Sequence, residues 1–226
     1  MAIGIGKLLG FRFLRNFNHP YFSRDIAEFW RHWHISLTTW FRDYLYIPLG
    51  GSRGGKWTIV RNTFIIFLVS GFWHGANWTF IAWGAFHAIL FLPLILTGKN
   101  RKYTNVVAEG KILPNIKEIF QMGLTFALVV IGWVFFRADT IHDAIGYLEG
   151  IFQLGRLKVG YAELPTMIMI IILLIMEWIG RSHNYALEKL GLSWPSFARY
   201  LLYMIIAVLI ILYTNGDVHE FIYFQF

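Results

Sequence analysis

The chain has 226 residues, of which 57% are hydrophobic and only 15% charged, with a net charge of +7 and no cysteine. A soluble domain carries about a quarter charged residues, so this balance argues against one. The missing cysteine excludes a disulfide framework, a thiolate nucleophile and any cysteine-based metal site. Ten Trp and eleven Tyr suit a membrane–water interface, where an amphipathic ring satisfies both sides.

The opening stretch, Met1 to Gly10, lacks a charged region followed by a long apolar run and a small-residue cleavage site. No signal peptide is expected from it. Residues 24–48 follow as an interfacial aromatic helix, with Trp30, Trp33, Leu37, Trp40, Phe41, Tyr44 and Leu45 at helical spacing among Arg31, Arg42 and Asp43. Pro48 ends it, and a glycine-rich loop from Gly50 to Lys56 comes next.

Five apolar segments succeed the loop. The first, from about Thr63 to Trp73, is short, and the second runs from Trp78 to Leu96. Together, residues 63–96 read as paired or re-entrant segments. Three further membrane helices fall in 119–213: Ile119–Phe136, Leu164–Ile179 and Tyr200–Tyr213. A spanning helix needs about 20 predominantly apolar residues, and tilt or snorkelling accommodates shorter ones. The stretch Asp139–Leu154 reads as an amphipathic helix on the surface, and the aromatic tail Phe221–Phe226 as packing there. The fold class is therefore all-α: one polytopic bundle of transmembrane helices, residues 1–226, with interfacial and re-entrant pieces.

Loop charge predicts orientation. Arg53, Lys56, Arg61, Lys99, Arg101, Lys102, Lys111, Lys117, Arg181, Lys189 and Arg199 share one side, against Arg137, Arg156 and Lys158 on the other. The positive-inside rule makes the richer side cytoplasmic. The same distribution makes nucleic acid an unexpected partner, because no basic stripe lies on a soluble module.

His74 lies in Ser70-Gly-Phe-Trp-His-Gly-Ala-Asn-Trp78, between two apolar segments. Irregular backbone at membrane depth is tolerated only inside protein or beside a wet cavity. An ionisable side chain there is a candidate for function, and imidazole is suited to proton transfer near neutral pH. The residues alone also allow a histidine that merely bonds a carbonyl between helices. His32 and His34, two apart on a helix, face different ways, and no metal-ligand spacing, nucleophile elbow or phosphate loop occurs. A transporter without chemistry also remains open, with His87 at membrane depth in its favour.

Several stretches together resemble the membrane-bound O-acyltransferase family, in particular its bacterial alginate O-acetyltransferase-like branch. They are Asn18–Ser23, Phe29-Trp-Arg-His-Trp-His-Ile-Ser-Leu-Thr38, Trp40–Gly51, Ser70-Gly-Phe-Trp-His-Gly75 and Phe221–Phe226. The resemblance covers the later part of the family pattern, so a C-terminal portion of that fold is expected. It implies that His74 is the family's invariant histidine and His34 its second one. His32 stands where relatives commonly have Arg and receives no role.

The implied chemistry is acyl transfer to a hydroxyl, with no bound cofactor or metal. Acetyl-CoA or another acyl thioester is the donor, and an exported polysaccharide such as alginate receives the group. D-alanyl transfer to a cell-wall polymer is the alternative, along with a non-catalytic export component or an inactive fragment. Trp73, Asn77 and Arg42 are expected substrate-binding residues. The lipid bilayer, the acyl donor and a periplasmic acetyltransferase are expected partners, and the bacterial inner membrane the location.

Overall fold

The computed structural model describes residues 2–153, 164–189 and 191–213. Among them the regular structure is helical, and no strand is present. The chain forms two compact units, residues 1–173 and 174–226.

In the first unit, α1 (Ala2–Leu8) leads through an extended segment to α2 (Ile26–His32) and α3 (Ile35–Phe41). A π-helical turn, Arg42–Tyr46, continues α3. Then come α4 (Lys56–His74), α5 (Trp78–Leu96), α6 (Ile116–Arg137) and α7 (Ile141–Phe152). The starts are set by local chemistry. Asp25 accepts from Glu28 N at 2.7 Å and caps α2. Asn77 caps α5 through Thr79 N. Asn115 and Glu118 form a reciprocal capping box on α6, and Thr140 caps α7. Each cap satisfies an amide that the helix leaves without an internal partner.

α4 and α5 make the tightest pairing. A Cβ on Gly71 would collide with the carbonyl of Phe80, and one on Gly84 with the carbonyl of Phe67. Small residues let helix backbones approach closely, which is how helices associate where lipid offers no hydrophobic drive. Lys56 Nζ donates to Leu96 O at 2.9 Å, closing the open end of this hairpin. The core joins α2, α5 and α6: Ile26, Phe29 and Val129 are buried, with Trp30, Trp33, Leu90 and Trp133 packed on them.

A buried ion network fastens α2. Arg24 donates through Nη2 to Glu28 Oε1 at 2.7 Å and through Nε to Glu28 Oε2 at 3.2 Å. It also reaches Glu118 on α6 at 3.6 Å and donates to Asn105 O at 2.6 Å. Arg31 donates to Asn100 O and Tyr103 O. Arg24, just before α2, and Arg31 within it therefore strap down the connection between α5 and α6.

Among the described residues, three helices are long and apolar enough to cross a membrane: α5, α6 and α9 (Ser196–Tyr213). None of the apolar window of α9 is buried within the protein, as expected of a surface facing lipid. α8 (Leu164–Gly180) is a shorter apolar helix that starts in the first unit and ends in the second. In the second unit, Arg181 stacks over the Trp178 ring at 4.2 Å.

Two elements differ from expectation. α4 starts at Lys56 rather than near Thr63 and has 19 residues, as many as α5. At 1.5 Å per residue it is about 28 Å long. Its polar first half is anchored rather than frayed: Arg61 and Asn62 both donate to Leu49 O, and Asn62 also donates to Gly51 O. The aromatic stretch 24–48 is two helices rather than one. It breaks at Trp33-His34, where Ile35 N bonds to Asn16 O and Ser36 N to Asn16 Oδ1. Asn16 thus caps α3 from a distance. The tail Phe221–Phe226, with Arg156 and Lys158, lies outside the described residues.

Candidate active site

His74 is the last residue of α4, and only Gly75–Asn77 separate it from α5. Its half-buried ring sits in an aromatic box. The centroid lies 4.9 Å from Phe136 of α6, 5.4 Å from Trp83 and 6.3 Å from Phe80 of α5, and 4.8 Å from Trp73. The box draws on three helices, so the imidazole is held by long-range packing rather than by its own turn.

His34 occupies the α2–α3 break with φ 46 and ψ 53, in the left-handed region. A non-glycine residue seldom adopts this conformation. Asn16 holds it here by accepting from the first two amides of α3, Ile35 N and Ser36 N. The ring stacks on Phe17 at 6.4 Å. Burial lowers the proton affinity of His34. Burial first, and the charge of a protonated His34 second, push His74 down to about 4. Burial thus favours the neutral form of both histidines, and the second cause shows that a charge on His34 is felt at His74. His32 is likewise pushed to about 4, by burial and then by Arg31. Its carbonyl accepts from Asn18 N at 2.9 Å, a bond within the framework.

A cavity of about 500 Å³ opens between α2, α3, α4 and α5; neither histidine lines it, but residues of their own helices do. Arg31, Arg42, Arg101 and Asn100 line it at one end, Trp30, Phe67 and Phe91 along its wall, and Thr38 and Ser70 also face it. Thr38 lies four residues after His34 and Ser70 four before His74, so each is one helical turn from its histidine. Along α4 the lining runs from Thr63 to Ser70, about 10 Å at 1.5 Å per residue. The arginine end lies with Lys56 and Leu96, and the Ser70 end toward His74.

The other expected site residues divide. Arg42 lines the cavity and pairs with Asp43 in a two-point contact, Nε to Oδ1 at 2.7 Å and Nη2 to Oδ2 at 3.2 Å, in an exposed position. Trp73 is half exposed beside His74. The Asn77 amide is engaged in the framework: Oδ1 accepts from Thr79 N and Nδ2 donates to Asp139 O at 2.9 Å. It ties the turn after His74 to the corner between α6 and α7.

Sequence reading had passed over Trp30, Arg31, Arg101, Thr38 and Ser70 as site residues. Thr38 and Ser70 were open to discovery by counting one turn from each histidine. The others lie on separate elements, and only folding brings them to one cavity. Among the described residues no group of three His, Cys, Asp or Glu residues is placed to hold a metal.

Residues 2–136 match the model of the MBOAT, membrane-bound O-acyltransferase, family. The chain is 48% identical over 155 residues to the alginate O-acetylase AlgI of Pseudomonas syringae pv. tomato, covering 69% of this chain and 28% of that protein. It is 36% identical to AlgI of Pseudomonas putida, covering 100% of this chain and 49% of the relative. The peptidoglycan O-acetyltransferase of Helicobacter pylori is 32% identical, again over 100% of this chain and over 45% of its own length. The chain therefore spans half or less of the length of these relatives. The matched region contains α1 to α6, and with them both histidines, the aromatic box and the cavity. A multi-pass membrane chain with this site and this match belongs to the membrane-bound O-acyltransferase family.

Proposed function

We propose that this chain forms the acyl-transfer part of a membrane O-acyltransferase that moves an acetyl group from a cytoplasmic thioester, acetyl-CoA, toward the hydroxyls of an exported polysaccharide such as alginate. The observation that carries the reading is a half-buried histidine in an aromatic box, one helical turn from Ser70 of a cavity that Arg31, Arg42 and Arg101 also line. The arginine end belongs to the same end of the hairpin as Lys56, the side that the positive-inside rule makes cytoplasmic. Guanidinium groups there suit the phosphates of the donor. The apolar wall suits its acyl arm, and the thioester carbonyl is delivered toward His74.

Chemistry follows from the state of the imidazole. His74, neutral, takes the proton of the acceptor hydroxyl as its oxygen attacks the thioester carbonyl. The carbon–oxygen bond forms, the tetrahedral intermediate collapses, and the carbon–sulfur bond breaks. The departing thiolate takes the proton back from the imidazolium, so His74 ends as it began. His34 orients the reactants and adds no second positive charge. Trp73, at the rim of the box, borders the acceptor. The bilayer is that of the bacterial inner membrane, and a periplasmic acetyltransferase completes delivery to the sugar.

The test is the acetyl content of the exported polysaccharide in cells whose only copy carries His74→Ala. General base catalysis is worth about 10² to 10⁴-fold, so acetylation should fall to background. Normal acetylation at a normal protein level overturns the assignment. Isotopic labelling of the donor in the same cells distinguishes acetyl from D-alanyl transfer.

A further inference from the structure

The cavity has a fixed inner wall. Trp30 lines it, and its indole packs against Phe67 at 5.3 Å and Trp83 at 5.6 Å. Trp83 in turn packs against His74. Trp30 therefore faces the cavity on one side and, through Trp83, adjoins the aromatic box that holds the base.

Behind Trp30 lies His87 of α5, which is fully buried. The Trp30 indole N–H donates to His87 Nδ1 at 3.3 Å, with the two rings perpendicular and 5.0 Å apart. A neutral imidazole that accepts at one nitrogen carries its proton on the other. That other nitrogen, Nε2, has no hydrogen-bond partner among the described residues. It lies against Gly132 of α6, where an added Cβ would come within 2.8 Å of it. A buried N–H without a partner costs about 1–3 kcal/mol, and a core that keeps it needs a reason. Here the imidazole fills the space between α6 and the indole. Gly132 backs His87, and His87 backs Trp30, so the indole has nowhere to retreat.

On the acyltransferase reading, we propose that Trp30 sets the largest acyl group the cavity accepts, and that His87 is the positioning residue that holds it there. The wall confines the donor to the shortest acyl chains. A flexible aromatic at the same place would swing aside and admit longer ones. An indole bonded at its nitrogen and wedged from behind does not. His87 is thereby absorbed into substrate selection, where hydropathy alone shows only an interruption in a span.

The experiment measures thiol release from acetyl-, propionyl-, butyryl- and hexanoyl-CoA by the complete protein in detergent-solubilised membranes. Each preparation is scored by its butyryl-to-acetyl ratio, which does not depend on how much protein has folded. One methylene is worth about 10 to 200-fold in a fitted pocket, so the unaltered protein should disfavour butyryl by at least tenfold. Trp30→Ala should raise the ratio at least tenfold. Trp30→Phe and His87→Phe keep a ring but break the bond between the two, and should raise it several-fold. Ratios within twofold of the unaltered protein in all three variants overturn the wall, even if total activity falls. With acceptor polysaccharide and its periplasmic acetyltransferase added, an unaltered protein that releases thiol from none of the donors overturns the acyltransferase reading, and the wall with it.

Discussion

The contact between α4 and α5 offers the sharpest test of how this fold presents its histidine. Gly71→Ala adds one methyl group, placed against the carbonyl of Phe80. The obstacle is backbone, which no rotamer change can move. Restoring an ordinary contact requires the helices to part by on the order of 1 Å, and overpacking of this kind costs about 1–3 kcal/mol. For a chain of this size each kcal/mol lowers Tm by about 2–4 °C, so a drop of roughly 2–12 °C is expected. Gly71 is three residues before His74, and the displaced Phe80 forms part of the aromatic box. Misplacement by about 1 Å costs a catalyst about 10²-fold, so activity should suffer more than stability does. The assay pairs thermal unfolding in detergent with acyl transfer measured on the folded fraction. Gly123→Ala on α6, where an added Cβ meets nothing within 4 Å, is the control; it should match the unaltered protein in turnover and be at least as stable, because alanine favours a helix interior over glycine. If Gly71→Ala also matches it in both Tm and turnover, the close approach does not position His74, and the reasoning fails.

Three other outcomes are expected. Arg24→Ala leaves the Glu28 carboxylate, 2% exposed, without its charged partner. Stranding a buried charge costs about 3–5 kcal/mol, read as a fall in unfolding temperature that Arg24→Ala/Glu28→Gln should partly reverse. Arg42→Ala removes an exposed pair with Asp43, so Tm should stay put while KM for acetyl-CoA rises; a change in Tm with KM constant would make Arg42 a structural residue. The pH profile of kcat/KM should be flat from 8 down to 6. With His74 pushed to about 4, the base stays unprotonated through that range, and the rate falls only once acid begins to charge it. A decline centred near an ordinary imidazole value of about 6.5 contradicts the burial that the structure assigns to it.

The membrane character of α5 and α6, and the importance of His74, were legible because they rest on local features: an apolar run, and an ionisable side chain between two such runs. The extent of α4 was not. Hydropathy falters at Lys56, Arg61 and Asn62, yet the carbonyls of Leu49, Gly51 and Leu96 satisfy their donors. A polar residue with a partner does not end a helix, and the partner is invisible to a sliding window. The break at His34 was hidden for the same reason. Helical spacing of aromatics continues through it, while the amides that define α3 are taken by Asn16, some twenty residues earlier. Asn77 is an expected substrate-binding residue because it lies three positions from His74 in the chain. Its amide instead joins two turns, a contact that needs Asp139 to be in place. The cavity is the extreme case: it draws lining residues from Ala27 to Arg101, and no short stretch carries its signature.

Only Gly75–Asn77 join α4 to α5, and this has a consequence for how the protein is built. Bringing the helices together closes a very short loop, and the entropy lost in loop closure grows with loop length. The hairpin that displays His74 is therefore the inexpensive, early step of assembly. The cavity wall requires α2 and α3 to meet α5 across some sixty residues, as the Trp30–His87 bond does, so it forms late. A nascent chain thus brings His74 to the head of its hairpin before the cavity has its walls.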